Sequence, residues 1–229
     1  MNLLSQEVKL FMSQSKQKLH PNFSNIPLDQ SLESHRRRLP HWEQRGRVYF
    51  LTFRLFDSIP QQKVKQIKSE KEQWLRCHPK PWKPEELKEY YQRFEGEYQR
   101  WLDSGYGACI FRNVKNRALM ESSLLHFDTA RYVLDQYVIM PNHVHLLVMA
   151  MEGFSMEKLV HTWKSYSANE INKKLTRKGT LWMQEYFDHI VRSKAQLIKF
   201  RDYVLQNPIK AKLKANEYTL GKGSGILEQ

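Results

Sequence analysis

Cysteine is almost missing from this 229-residue chain: there are two, Cys77 and Cys109, with no C-x-x-C spacing. That leaves no disulfide framework to hold a small fold together, and the expected state is reduced and unpaired. Also absent is any apolar run of about 18 residues or more, so no membrane-spanning helix is readable. The first dozen residues interrupt their apolar positions with Gln6, Glu7 and Lys9, which excludes a secretory hydrophobic segment, and the expected compartment is the cytoplasm. Acidic residues are scarce. Only 24 Asp and Glu stand against 37 Lys and Arg, a formal net charge of +13 and a pI near 9.7. Such a field gathers polyanions, nucleic acid above all, although an anionic membrane surface fits the charge alone. The 41% apolar content, with 12% aromatic, excludes a disordered basic tail.

What is present divides the chain in three. Residues 1–40 are polar, carry Pro21, Pro27 and Pro40 with the run Arg36-Arg37-Arg38, and read as a basic arm. Residues 41–213 read as one domain, and the Lys- and Gly-rich residues 214–229 as a flexible tail. Within the domain, Val48 to Phe56 is β-branched and aromatic between Gly46 and Asp57, the pattern of a buried strand. A helix opening at Pro60 ends at the Pro79 to Pro81 breaker, and an inserted helical stretch follows over about 83–102. A helix over about 108–127 then leads to two apolar segments, 131–140 and 143–149, around Pro141-Asn142, a hairpin. Ser155 is the candidate N-cap of the next helix, whose Trp163 and Tyr166 read as core. Gly179 to Trp182 suggests a short strand, and a last helix from about Lys194 stops before Pro208. This order predicts an α+β fold, helices against an antiparallel sheet.

The most informative tripeptide is His143-Val144-His145. Strand side chains alternate faces, so both imidazoles project to one side with Cα atoms about 7 Å apart, where they can converge on one metal ion. A half-exposed strand gives the same spacing by chance. Tyr203 and Asn207, four apart on the last helix, share one face and can present a phenol beside an amide oxygen. A core tyrosine and a C-terminal asparagine cap are the plainer alternative. Two imidazoles and one amide oxygen leave open positions around an octahedral divalent ion, and a phenol beside it is a nucleophile for a phosphodiester. There is no H-E-x-x-H run to suggest a zinc hydrolase.

Tyr137 to Val148 resembles the metal-binding strand motif of HUH single-strand endonucleases, in the branch of the REP-associated tyrosine transposases. Arg37 to Trp42, Tyr49 to Leu55, Leu181 to His189 and Tyr203 to Pro208 are similar to further segments of that family, in order along residues 36–213. The resemblance implies a ferredoxin-like antiparallel sheet with helices on its faces, and His143, His145 and Asn207 as ligands of Mg²⁺ or Mn²⁺. It implies Tyr203 as nucleophile, cutting and rejoining single-stranded or hairpin DNA through a 5′-phosphotyrosyl link. The expected partner is DNA rather than membrane, with the protein acting as monomer or homodimer. The stretch 83–102 departs from shorter members of the family.

Tyr186 is a rival nucleophile, though an aromatic between Trp182 and Phe187 more often packs in a core. Arg36, Arg37, Arg38 and Lys164 are candidate DNA contacts, against the alternative of a solvated charge run. A non-catalytic hairpin-DNA-binding regulator is the competing function; a damaged His-x-His or a missing tyrosine would mark it, and neither is damaged here.

Overall fold

The computed structural model describes residues 46–79 and 81–226, with a short antiparallel ribbon of β1 (Glu33–His35) and β2 (His41–Glu43). Arg36, Arg37 and Arg38, and the rest of the arm apart from β1, lie outside the described residues.

Strand β3 (Val48–Arg54) is buried along its whole length, as its unbroken β-branched and aromatic run requires of a strand covered on both faces. Helix α1 (Gln61–Cys77) follows, then α2 (Pro84–Tyr90), a π-helical turn (Tyr91–Glu95) and α3 (Gly96–Asp103). Helix α4 (Val114–Leu125) leads to the hairpin of β4 (Tyr132–Ile139) and β5 (His143–Ala150). Then come α5 (Met156–Lys174), β6 (Phe187–Ile190), α6 (Lys194–Lys210) and β7 (Thr219–Lys222). The main sheet runs β6-β3-β5-β4-β7, every pair antiparallel. Numbered by their place in the chain, its first four strands lie in the order fourth, first, third, second, the ferredoxin-like arrangement, and β7 adds a fifth at the β4 edge.

The two-residue period of a strand sorts the core into two layers. Tyr49, Leu51 and Phe53 of β3 and Val144, Leu146 and Val148 of β5 face α4 and α5, where Met120, Leu124, Leu159, Val160 and Trp163 pack. Val48, Phe50, Val138 and Leu147 face the other way, against Leu197 and Val204 of α6. A third, smaller cluster belongs to α1 and the insertion: Ile67, Trp74 and Phe94, with Trp82, Tyr90 and Trp101 around them.

A bulge between Leu134 and Tyr137 supplies an extra residue to β4, so Leu134 and Tyr137 both remain in the α4/α5 layer although three positions apart. Asp135 within it is fully buried and takes two hydrogen bonds from the Arg201 guanidinium, from Nε at 2.7 Å and from a terminal nitrogen at 2.6 Å. This ion pair ties α6 to the sheet.

Four sequence expectations are corrected. The last helix does not stop before Pro208 but continues to Lys210, because a proline in the final turn removes one ladder donor while its carbonyl still accepts, here from Leu213 N–H at 3.0 Å. The strand expected at 179–182 is one bridge, Leu55 to Trp182; the edge strand is β6, half-exposed and so without an apolar run. The flexible tail expected over 214–229 instead contains β7, whose Gly221 lies opposite Tyr137; a Cβ there would stand 2.1 Å from that ring's Cζ. Its glycines therefore mark a close approach rather than looseness. Ser155 caps α5 as expected, accepting from Lys158 N–H, and Trp163 is core, but Tyr166 is 47% exposed.

Two stability outcomes follow from this packing. Asp135→Ala, which leaves the Arg201 charge buried and unpaired, should cost about 3–5 kcal/mol in urea unfolding, and the paired replacement Asp135→Leu with Arg201→Met should recover most of it. Gly221→Val should cost about 1–3 kcal/mol by overpacking, and markedly less in a Tyr137→Ala background.

Candidate active site

By strand parity His143 and His145 fall on the α6 side of β5, in line with Leu147, and both are 0% exposed. Their ring centroids are 4.7 Å apart, so the convergence expected from the sequence is realised. Helix α6 brings the other pair across. Tyr203 packs edge-on to His145, centroids 5.3 Å apart, and to Phe50 at 5.5 Å. Asn207, one turn later, is buried on the same side. The structure thus assembles His143, His145, Tyr203 and Asn207 from two elements, the histidines lying more than 50 positions before the tyrosine in the chain.

Hydrogen bonds fix which imidazole nitrogen is free. His143 Nδ1–H donates to Asn142 Oδ1 at 2.7 Å, which leaves the lone pair on its Nε2; His145 Nδ1 is hydrogen-bonded to Thr52 Oγ1 at 2.6 Å, and in the tautomer where Nδ1 donates its Nε2 carries the free lone pair. His143 Nε2 and Asn207 Oδ1 are both buried with no hydrogen-bond partner. Two orphaned acceptors in one closed site are costly unless a cation takes them up, so these residues fit a divalent metal by donor type and by unspent lone pairs. Burial holds both histidines neutral: His143 is pushed down to about 3 against an opposing pull from Asn207, and His145 well down by burial and then by His143. The Tyr203 phenol is raised by burial and by the Asp103 carboxylate, with Asn207 pulling the other way.

The other candidates are placed differently. Tyr186 sits in the core cluster of the α4/α5 layer, on the opposite face of the sheet from the histidines. Lys164 gives its ammonium to the carbonyls of Met183 (2.6 Å) and Gln184 (2.8 Å), a tie between α5 and the loop before β6.

Several site residues were not singled out in the sequence. Arg54, paired with His143 in the ladder and only 4% exposed, brings a guanidinium to the site edge; it donates to Ser58 Oγ at 3.1 Å and to the Tyr98 hydroxyl. A lone charge ending an otherwise apolar strand was the available signal. Asn142 sets the His143 tautomer while its Nδ2 donates to the carbonyls of Leu102 and Tyr106. Gln99 and Asp103 arrive from the insertion, whose reach to the site has no local pattern. Among the described residues no group of three or more His, Cys, Asp or Glu is placed to hold a metal. Nor is any described helix long and apolar enough to cross a membrane.

Comparison with known proteins finds three similarities. Residues 108–207 match the model of the IS200-like transposase family. An uncharacterised protein of Haemophilus influenzae (strain ATCC 51907 / DSM 11121 / KW20 / Rd) is 23% identical over an alignment covering 54% of this chain and 86% of that one. A solved REP-associated tyrosine transposase bound to a REP hairpin aligns over 78% of this chain and 74% of its own, with 14% identity and a TM-score of 0.39. Across residues 108–207, the segment that carries both histidines, the tyrosine and the asparagine, this chain is similar to the IS200-like transposase family.

Proposed function

We propose that the protein is a metal-dependent tyrosine transposase that cleaves and rejoins single-stranded DNA, with Tyr203 as nucleophile. The observation that carries the reading is the pair of orphaned buried acceptors, His143 Nε2 and Asn207 Oδ1, in the site that also holds His145 and the Tyr203 phenol. His143, His145 and Asn207 would hold Mg²⁺ or Mn²⁺, which when bound polarises the scissile phosphate as a Lewis acid. The REP-associated branch, and with it a hairpin-bearing DNA, rests on the sequence similarity of Tyr137 to Val148 and its flanking segments.

The chain's own groups divide the work. Burial keeps both imidazoles neutral, so their lone pairs face the site at any pH near neutrality. Phe50 and His145 confine the Tyr203 ring on two sides, which aims Oη and limits the orientations it must lose on attack. In the step itself the Oη–P bond forms as the P–O3′ bond breaks. The electron pair leaves on O3′, the phenolic proton is released, and one proton is returned to the 3′-hydroxyl. The link formed has the same bond type as the one broken, so a second 3′-hydroxyl can reverse the step, and the outcome is strand transfer rather than hydrolysis. Positive charge supplies the binding: +13 over the chain, with Arg54 next to His143.

Two sets of variants test this. His143→Ala with His145→Ala should lower cleavage of a labelled hairpin oligonucleotide in Mn²⁺ by about two orders of magnitude or more, while gel-shift affinity changes little. Full cleavage by that variant overturns the metal site; binding without cleavage by the wild type makes the protein a regulatory hairpin binder instead. Tyr203→Phe should abolish the covalent protein–DNA adduct, and Asn207→Ala should raise the divalent-ion requirement about tenfold or more while the adduct still forms on Tyr203. Peptide mapping of the adduct to any other residue overturns the choice of nucleophile.

A further inference from the structure

The site is shut. Both histidines are inaccessible, covered by α6 and, at His145, reached from the insertion by α3. Its side chains occupy the groups that the proposed chemistry needs. Gln99 Nε2 stands 3.4 Å from His145 Nε2, the lone pair otherwise free for a metal. The same amide donates to Asp103 Oδ1 at 3.0 Å, one turn on, which orients it with its N–H groups toward the imidazole. The neighbouring Tyr98 hydroxyl accepts from Arg54 Nε, so the site's buried guanidinium is engaged as well. Beyond them the Leu102 carbonyl accepts from Asn142, and the Leu102 side chain is buried.

An N–H pointing at His145 Nε2 and a cation bound to that atom exclude one another. From this geometry we propose that α3 is a gate over the active site, latched by Gln99 on His145 and Tyr98 on Arg54, so that divalent-metal binding and release of α3 are one linked equilibrium. The inference rests on the metal reading above and adds the insertion to it. α3 is suited to the movement. It has eight residues, is preceded by the π-helical turn Tyr91–Glu95, and is followed by Gly105 and Gly107, both at positive φ. It contributes Leu102 to burial, while Gln99 and Tyr98 remain partly exposed. The aromatic cluster of Trp74, Phe94, Trp82 and Tyr90 gives the insertion a core of its own, which α3 joins only through Trp101. With the latch closed only a fraction of molecules is competent to bind metal, and the apparent affinity is reduced by that fraction.

The test is Mn²⁺ affinity by calorimetry, with hydrogen exchange of residues 96–103, on the full chain. Gln99→Leu removes the N–H donor at similar bulk and should tighten Mn²⁺ binding about two- to tenfold, the worth of one latch hydrogen bond; adding Tyr98→Phe should tighten it further. In the wild type Mn²⁺ should speed exchange across α3, and His145→Ala should abolish that response. Unchanged or weaker Mn²⁺ binding by Gln99→Leu overturns the gate while leaving the metal site standing, and so does metal-independent exchange in a wild type that binds Mn²⁺. Absence of Mn²⁺ binding by both wild type and Gln99→Leu overturns the metal reading, and the gate with it.

Discussion

A carboxylate and a guanidinium withdrawn from water have to find each other, and the bidentate contact between Asp135 and Arg201 leaves little freedom in how they do so. The bulge in β4 turns Asp135 toward α6 without disturbing the apolar layer on the other face. Arg201 then fixes where α6 lies on the sheet and how it is rotated about its axis. Tyr203 and Asn207 are two and six positions further along the same rigid helix, so their approach to His143 and His145 is inherited from that one contact. A buried ion pair is weak as a source of stability and strong as a specifier of register, and a site built across two elements depends on register.

The histidine strand itself was legible because its cues are local. Alternation in Tyr137 to Met149 around Pro141-Asn142 gives both strands, the face of each histidine and the hairpin, and the structure agrees to within a residue or two. The same-face argument for Tyr203 and Asn207 held because helical periodicity is equally local. What escaped depends on partners distant in sequence. β7 carries no apolar run because Tyr137 lies over its Gly221, a fact of β4 rather than of β7. β6 is an edge strand with half-exposed side chains, which blurs its alternation. Tyr166 shares a helix with Trp163, yet only Trp163 meets Tyr132 across the layer. Pro208 misled because a rule for helix interiors was applied to a last turn, where most of the carbonyls have no helical donor in any case.

The layered core explains why an insertion is tolerated where it stands. The chain leaves β3 at the end nearest the histidines and must return to start α4, and everything between can fold on its own aromatic cluster without entering either layer of the sheet. Its cost is local, and its reward is position. Any helix closing that excursion passes the mouth of the site, and here it places Asn142, Arg54 and His145 within reach of Leu102, Tyr98 and Gln99.

The π-helical turn Tyr91–Glu95 gives that position an arithmetic basis. A π turn holds one residue more than the α turn it replaces, and each residue in a helix carries the next about 100° around the axis. Losing a single residue from this turn would leave α3 intact in composition and propensity, yet rotate Tyr98 and Gln99 away from Arg54 and His145. A single codon there would undo both contacts at once while leaving every catalytic candidate in place.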